Sequence, residues 1–308
     1  MTKQLSLFPD SPLNKLKRMP DGMLTDLEAA LNPVDEVFAA SSRFRDSRNL
    51  KELLRYIARF PNYSAFNGLL LYAQNPSATY VATARSWAQK FNRKPKYTAR
   101  PMAILAPMAP IRFVFDIQDT EGVPVPSHLL DFSTTVNQLS GKDYRHTCHN
   151  CTTQGIAVYE TELDPHAEDS AGRITPALRK QYQAFDLPKD TSYLILIDKT
   201  QPLEDRYGSL VHELGHIFCG HLGIDRHAWW PEREDLNVIG EEIEADCVAY
   251  LVCERLGLKT LSANCLSGHI DQSRQMPVFS LNAVLQAVAC VEEMRKSRWT
   301  GPRKRRRQ

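Results

Sequence analysis

The strongest chemical signal lies at His212, Glu213 and His216, which form an HExxH motif. Two histidines four residues apart lie on one face of an α-helix, about 40° apart around its axis. Both imidazoles can therefore reach one Zn²⁺ at about 2.0–2.1 Å, and the glutamate between them can act as general base. The sequence predicts a zinc site with His212 and His216 as ligands and Glu213 as the catalytic base.

A catalytic zinc needs a third protein ligand, and the acidic stretch that begins at Glu241 offers three glutamates. Glu242 and Asp246 are four residues apart, so Glu242 can bind the metal while Asp246 accepts a hydrogen bond from a ligand imidazole. Glu244 points about 200° from Glu242 around the helix axis and remains the alternative ligand. The other explanation of these carboxylates is an acidic first turn that favours the helix dipole.

This set of residues favours hydrolysis of a peptide bond. Bound Zn²⁺ lowers the pKa of its water toward about 7, and Glu213 can take the proton so that hydroxide attacks a polarised carbonyl. The same glutamate can then pass the proton to the leaving amine. The predicted activity is that of a zinc metalloendopeptidase, and the protein substrate is not identified by the sequence.

His146, Cys148, His149 and Cys151 form a second group of potential metal ligands. A structural zinc commonly uses two separated pairs of ligands, whereas these four lie within six residues. If the segment is helical, the two cysteines share a face and can pack as small hydrophobic residues. Packing is the preferred interpretation, with metal or redox use left open.

Residues 85–112 contain seven Lys/Arg and no Asp or Glu, with aromatic residues interleaved. Cations neutralise phosphates, and aromatic rings stack on unpaired bases at about 1–3 kcal/mol each. The pattern is typical of a single-stranded-DNA partner or, alternatively, of a basic surface over an aromatic core. The candidate DNA contacts are Arg59, Tyr63, Asn67, Arg85, Trp87, Lys90, Arg93, Lys94, Lys96 and Arg100.

Both ends of the chain carry short motifs. Gln4, Leu5, Leu7 and Phe8 lie within QLSLF, which resembles the peptide that bacterial replication proteins insert into the sliding clamp. A segment folded back onto the core is the alternative. Residues 303–307 are all Lys or Arg, and such a block attracts nucleic acid non-specifically.

The composition excludes several classes of protein. The 308 residues are 43% hydrophobic and 24% charged, which excludes a fully disordered or collagen-like chain. No apolar run approaches the roughly 20 residues of a membrane span, and residues 1–20 lack a signal-peptide pattern, so we expect a cytoplasmic protein without a membrane partner.

Seven cysteines favour reduced thiols or a metal over a disulfide framework. The basic front and tail of the chain suggest partners different from those of the acidic middle, for which solvated surface charge is the preferred interpretation.

Hydrophobic periodicity predicts an α+β fold in two units. In the first unit, helices are predicted at 23–31, 50–60, 64–73 and 84–91, and strands at 102–107 and 111–117. In the second unit, helices are predicted at 129–139, 202–221, 238–256 and 280–295, and strands at 156–163 and 193–198. The polar stretch 164–189 has no clear pattern.

The run HELGH followed by EIEADCVAYLVCERLGL resembles the ImmA/IrrE-type metallopeptidase domain. The resemblance implies zinc bound by His212, His216 and Glu242, with Glu213 as the base. It also implies a place for His221 near the metal ligands, as a substrate contact, a transition-state stabiliser or a polar cap.

The run FPNYSAFNGLLLYAQNPSATYVATARSWAQKFNRKPKYTARPMAILAP is similar to the N-terminal single-stranded-DNA-binding domain of ArdC-type antirestriction proteins. The matching residues are Tyr63, Ser64, Asn67, Gln74, Pro76, Ala78, Trp87 and Pro107. ArdC-like proteins join this domain to an HExxH domain, so the two resemblances agree with each other.

These patterns and resemblances together imply four regions. They are a flexible arm at 1–20, an ArdC-like DNA-binding domain at 21–126, a zincin-like metallopeptidase domain at 127–298 with a small sheet and an active-site helix pair, and a basic tail at 299–308. The expected protein is a DNA-associated zinc metallopeptidase that cleaves a protein partner in an antirestriction, mobile-element or stress-response role. The alternatives are a non-catalytic DNA-binding antirestriction protein with a structural zinc, and an accessory protein of the sliding clamp.

Overall fold

The computed structural model describes residues 47–106, 111–126, 138–163, 169–225, 228–234, 236–259, 278–299 and 301. These residues form a mixed α+β protein with small sheets, as predicted. Its helices are α1 (Ser47–Ala58), α2 (Ala65–Gln74), α3 (Ala84–Phe91), α4 (Gly141–Thr153), α5 (Pro176–Gln181), α6 (Leu203–Cys219), α7 (Val238–Leu256) and α8 (Leu281–Met294). Its strands are β1 (Val81–Ala82), β2 (Arg93–Pro95), β3 (Met102–Ile104), β4 (Arg112–Asp116), β5 (Thr120–Gly122), β6 (Ile156–Thr161), β7 (Ser170–Arg173) and β8 (Tyr193–Asp198).

Several predictions fall on residues that the structure does not describe. They are the helix at 23–31, all but the last two residues of the helix at 129–139, the basic residues at 303–307, and the clamp motif with Gln4, Leu5, Leu7 and Phe8. In the described part of the chain, no helix combines the length and the apolar character that a membrane crossing requires.

The chain divides into two compact units, and residues 41–65 group with the second. Helix α1 therefore lies in the second unit, although the sequence placed it with the predicted domain at 21–126. The side chain of Arg255 on α7 shows why. Its guanidinium donates to the carbonyls of Ile57, Phe60 and Tyr63 at 3.2, 3.1 and 2.5 Å, and to Glu292 at 2.6 Å. These bonds tie the end of α1 to α7.

The described part of the first unit contains two small antiparallel sheets. Strands β1, β4 and β3 form a sheet in that order, and β2 pairs with β5. Helix α2 is joined to strand β3 and the residue after it by two side-chain amides. Asn67 exchanges hydrogen bonds of 3.0 and 2.9 Å with the backbone of Leu105, and Gln74 exchanges bonds of 2.8 and 2.7 Å with that of Ala103. These bonds satisfy backbone groups along the β3 segment that the sheet leaves unpaired.

The second unit has a three-stranded sheet that borders a group of helices. Strand β8 is central, parallel to β6 and antiparallel to β7. The buried side chains of β8 are apolar, and helices α6, α7 and α8 pack against one another with fully buried aliphatic residues. Strand β7 and helix α5 occupy the stretch 164–189 that the sequence left unassigned. Among the described elements, β7 forms an edge of this sheet.

Candidate metal centre

Helix α6 carries the HExxH motif and ends sharply. Glu204 and Asp205 lie in its first turn, where carboxylates favour the helix dipole. Gly220 follows the last turn with a φ of 90°, and a Cβ there would lie 2.0 Å from the carbonyl oxygen of Pro231. The chain therefore reverses at a glycine, and the His221 N–H returns to the His216 carbonyl at 3.0 Å. This turn places the ring of His221 beside the motif.

Helix α7 carries the acidic residues and lies very close to α6. Asn237 caps its start by accepting a hydrogen bond from the Gly240 N–H at 2.7 Å. A Cβ on Gly215 would lie 2.9 Å from the Cα of Ala245, so only glycine fits at this crossing. Because the two backbones meet there, the histidines of α6 face Glu242 on α7.

Three side chains converge at this crossing. The distance between His212 Nε2 and His216 Nε2 is 3.1 Å. Glu242 Oε2 lies 3.4 Å from His212 Nε2, and Glu242 Oε1 lies 3.6 Å from His216 Nε2. A tetrahedral ion with bonds of about 2.0–2.1 Å separates its ligand atoms by about 3.3–3.4 Å. The donor set and its spacing therefore fit a divalent metal ion.

Contacts with neighbouring side chains shift the pKa values of the ligands. The Nδ1 atom of His212 lies 3.2 Å from Oδ1 of the buried Asp246, which leaves Nε2 toward the other two side chains. Burial alone would lower the pKa of His212, but the bonds to Asp246 and Glu242 raise it to about 10. The same contacts with His212 and His216 hold the pKa of Glu242 well below its usual range. A metal ion bound at this place would therefore have to displace a proton from His212.

Glu213 lies beside the three ligands and is buried. Its side chain is only 7% exposed, and burial raises its pKa to about 7, with a further contribution from the charge of Glu242. The backbone N–H of Ala171, on strand β7, lowers the pKa of Glu213 and so favours the ionised form. A carboxylate with a pKa near neutrality is suited to accept and return a proton.

The raised pKa of Glu213 predicts a pH-dependent effect on stability. We expect Glu213→Gln to stabilise the metal-free protein by about 3 kcal/mol at pH 8, because ionising a buried carboxyl costs free energy. In the unfolded chain the carboxyl ionises near its ordinary pKa of 4.5, and in the folded chain near 7. The penalty is therefore absent below pH 4.5, grows up to pH 7 and is complete above it. Urea unfolding at pH 4.5 and pH 8 measures it, and an equal effect at both pH values would contradict the shift.

The alternative ligand, Glu244, is committed elsewhere. Both of its oxygens are bound by Arg233, at 2.5 and 2.6 Å, and its side chain is fully buried. Cys219, His221 and Glu244 do place ligand atoms within 4.8 Å of one another. However, burial keeps the pKa of the Cys219 thiol well above its usual range, and Arg233 already neutralises the carboxylate. This group is a hydrogen-bonded network.

The CxxC segment lies in helix α4 and performs a structural task. His146 Nδ1 lies 3.0 Å from the Arg295 carbonyl, and Asn150 donates to the Met294 carbonyl at 2.7 Å, so α4 caps the end of α8. Burial raises the pKa of the Cys148 thiol to about 11 and holds the pKa of the Cys151 thiol well above its usual range. Of the residues that the structure describes, those at 146–151 contribute to no group able to share an ion.

The predicted DNA contacts are divided by the fold. Trp87 is fully buried, and its indole donates to the Phe115 carbonyl at 2.9 Å, while Asn67 is held by the β3 segment. The guanidinium of Arg93 donates to the hydroxyl and the carbonyl of Thr120, at the start of β5, and to the Val123 carbonyl that follows β5. These three side chains therefore stabilise the first unit and do not form an open surface. Arg59 and Tyr63 belong to the second unit.

The other five cations among the predicted contacts are exposed. They are Arg85, Lys90, Lys94, Lys96 and Arg100, of which Lys94 lies 3.3 Å from Glu121. Tyr97 lies among them in sequence, and its ring is fully exposed. Tyr97 is one of the aromatic residues interleaved with the cations of residues 85–112, but it is not among the predicted contacts.

No protein-family model matches the chain, and no curated protein matches its sequence. Two solved structures of the antirestriction protein ArdC from the R388 plasmid are similar to it. The metal-free structure has a TM-score of 0.36 and 11% identity, and the alignment covers 86% of this chain and 94% of that one. The Mn(II)-bound structure has a TM-score of 0.36 and 13% identity, with 86% and 95% covered. The likeness is therefore distant in both fold and sequence.

Proposed function

We propose that the second unit is a zincin-like, zinc-dependent peptidase. His212, His216 and Glu242 hold the ion, and Glu213 is the general base. The observation that carries this proposal is the set of three ligand-atom distances, 3.1, 3.4 and 3.6 Å, which matches one tetrahedral ion. A divalent ion held there would lower the pKa of a coordinated water and polarise a carbonyl.

Exposure of the ligands favours catalysis over a purely structural metal. Side chains of His212, His216 and Glu242 are 19%, 13% and 32% exposed, so solvent and substrate reach this group. Structural zinc sites close the coordination shell with four protein ligands, whereas catalytic sites keep a position open. The described residues supply three ligands and a base.

The chain's own residues account for the proton transfers of hydrolysis. Glu213 accepts a proton from the attacking water and returns it to the leaving amine, and its pKa of about 7 suits both steps. Asp246 holds His212 in orientation through Nδ1. Because the Ala171 N–H on edge strand β7 reaches Glu213, an extended peptide along that edge would pass the base. This arrangement favours a polypeptide substrate.

Peptide cleavage tests the proposal. The zinc-loaded full-length protein is incubated with a denatured protein mixture, with and without single-stranded DNA, and new N-termini are identified by mass spectrometry. We expect cleavage that stops with a chelator and resumes on adding zinc. Failure to cut under every condition, in a protein that carries stoichiometric zinc, would contradict a peptidase.

A second function, binding of single-stranded DNA by the first unit, is favoured by one observation. The fully exposed ring of Tyr97 lies in sequence among the exposed cations Lys94, Lys96 and Arg100. An exposed ring beside cations can stack on an unpaired base while the cations neutralise phosphates. Through the sequence resemblance to ArdC-type proteins, we extend the proposal to an antirestriction, mobile-element or stress-response role. Clamp binding stays a prediction.

We expect Tyr97→Ala to weaken binding of a labelled oligo-dT by about tenfold or more, since one base–ring stack contributes about 1–3 kcal/mol. Tyr97→Phe keeps the aromatic face and serves as the matched control, with near wild-type affinity. Fluorescence anisotropy at fixed salt measures both variants. If alanine and phenylalanine bind alike, Tyr97 has no stacking role.

A further inference from the structure

Arg233 joins the two helices that carry the metal ligands. It lies in the connection between α6 and α7, and its backbone N–H donates to the Gly220 carbonyl at 3.0 Å. Its Nη1 atom lies 3.2 Å from the Cys219 carbonyl at the end of α6. The same guanidinium holds both oxygens of Glu244 on α7, at 2.5 and 2.6 Å. One side chain therefore caps the HExxH helix and fixes a buried carboxylate of its neighbour.

Glu244, held in place by Arg233, in turn contacts His221. Its Oε2 lies 3.0 Å from His221 Nε2, and its Oε1 accepts the Ser280 N–H at 2.5 Å. An ionised carboxylate can only accept hydrogen bonds, so His221 must donate from Nε2. A neutral imidazole carries one proton, which leaves Nδ1 of His221 as an acceptor.

The ring of His216 is the last member of this series of hydrogen-bonded side chains. Its Nδ1 lies 3.1 Å from Nδ1 of His221. Since that atom of His221 is the acceptor, Nδ1 of His216 must carry the proton and donate. The lone pair of His216 then lies on Nε2, the atom 3.1 Å from His212 Nε2 and 3.6 Å from Glu242. The network thus selects the tautomer that a metal ligand requires.

We propose that Arg233 and Glu244 are positioning residues for metal binding, which act through His221 to fix the tautomer and ring orientation of His216. The inference rests on the proposed metal site. It goes beyond that site because it gives a role to Arg233 and Glu244, which contact neither the ion nor the substrate. It also explains why a fully buried carboxylate two residues from Glu242 is retained as an ion pair.

Histidine tautomers give the direct test. In zinc-loaded protein labelled with ¹⁵N-histidine, long-range ¹H–¹⁵N correlation spectra should show the His216 proton on Nδ1 and the His221 proton on Nε2. Zinc affinity, from competition with a chromophoric chelator, should fall by about 10–100-fold in Glu244→Gln and Arg233→Lys. Arg255→Lys is the matched control, since it alters another Arg–Glu ion pair, which joins Arg255 on α7 to Glu292 on α8. It should lower the Tm and leave zinc affinity unchanged.

Wild-type zinc affinity in folded Glu244→Gln and Arg233→Lys would overturn the inference and leave the proposed peptidase intact. A His221 proton on Nδ1 would do the same, and this measurement on the wild type decides the matter if the variants do not fold. A wild-type protein that binds no zinc would overturn both proposals. Peptide cleavage plays no part in these readouts, so the two failures are distinguishable.

Discussion

Glu242→Gln is expected to lower zinc affinity by more than about 100-fold, beyond the cost of losing an outer-shell partner. The carboxylate contributes the only negative charge among the three side chains that meet at the crossing of α6 and α7. It lies 3.4 and 3.6 Å from the two imidazole nitrogens, and an amide keeps the shape but removes the charge. Metal analysis after dialysis and chelator competition measure the effect.

Glu241→Gln is the matched control, because Glu241 precedes Glu242 on the same helix, is also partly exposed and lies outside the ligand group. It should retain one zinc per chain. Glu244→Gln should fall between the two variants, since that residue acts on the ligands only through His221. Full zinc in Glu242→Gln would exclude Glu242 as the third ligand.

Glu213→Gln is expected to reduce kcat for peptide cleavage by about 10²–10⁴-fold, the usual contribution of a general acid–base. The amide can neither take a proton from water nor return one to the amine. Zinc binding should persist, because Glu213 lies outside the ligand group. Initial rates on a peptide identified by the cleavage experiment, with zinc content measured on the same preparation, test this.

A loss of zinc in Glu213→Gln would make the rate uninterpretable as base catalysis, so Glu241→Gln is assayed beside it at equal zinc occupancy. Wild-type turnover by fully loaded Glu213→Gln would remove Glu213 as the base. A large loss of kcat with little change in KM would support its role in proton transfer.

Local geometry explains what the sequence could predict. The spacing of His212 and His216 predicts a shared face because a helix repeats every 3.6 residues, and the structure places both rings together. The same periodicity places Glu242 and Asp246 on one face of a helix, and α7 covers the predicted residues 238–256. These conclusions depend only on residues within two turns of one helix.

Long-range contacts explain what the sequence could not predict. Nothing in the pattern around Arg233 indicates a bond to Glu244, because the connection between α6 and α7 has no repeating geometry. Likewise, Arg255 draws α1 into the second unit across almost 200 residues of sequence, with a separation of 198 to Ile57. Trp87 satisfies the pattern of a core residue and of a stacking platform equally, and only packing decides that it is buried.

X-ray absorption at the zinc edge of the loaded full-length protein tests the metal site most directly. The spectrum should show only nitrogen and oxygen neighbours at about 2.0–2.1 Å, with the multiple-scattering signature of two imidazoles. The carboxylate of Glu242 should disappear from the fit in Glu242→Gln. Sulfur neighbours at about 2.3 Å would instead place the ion at a cysteine and contradict a centre built from the HExxH helix and α7.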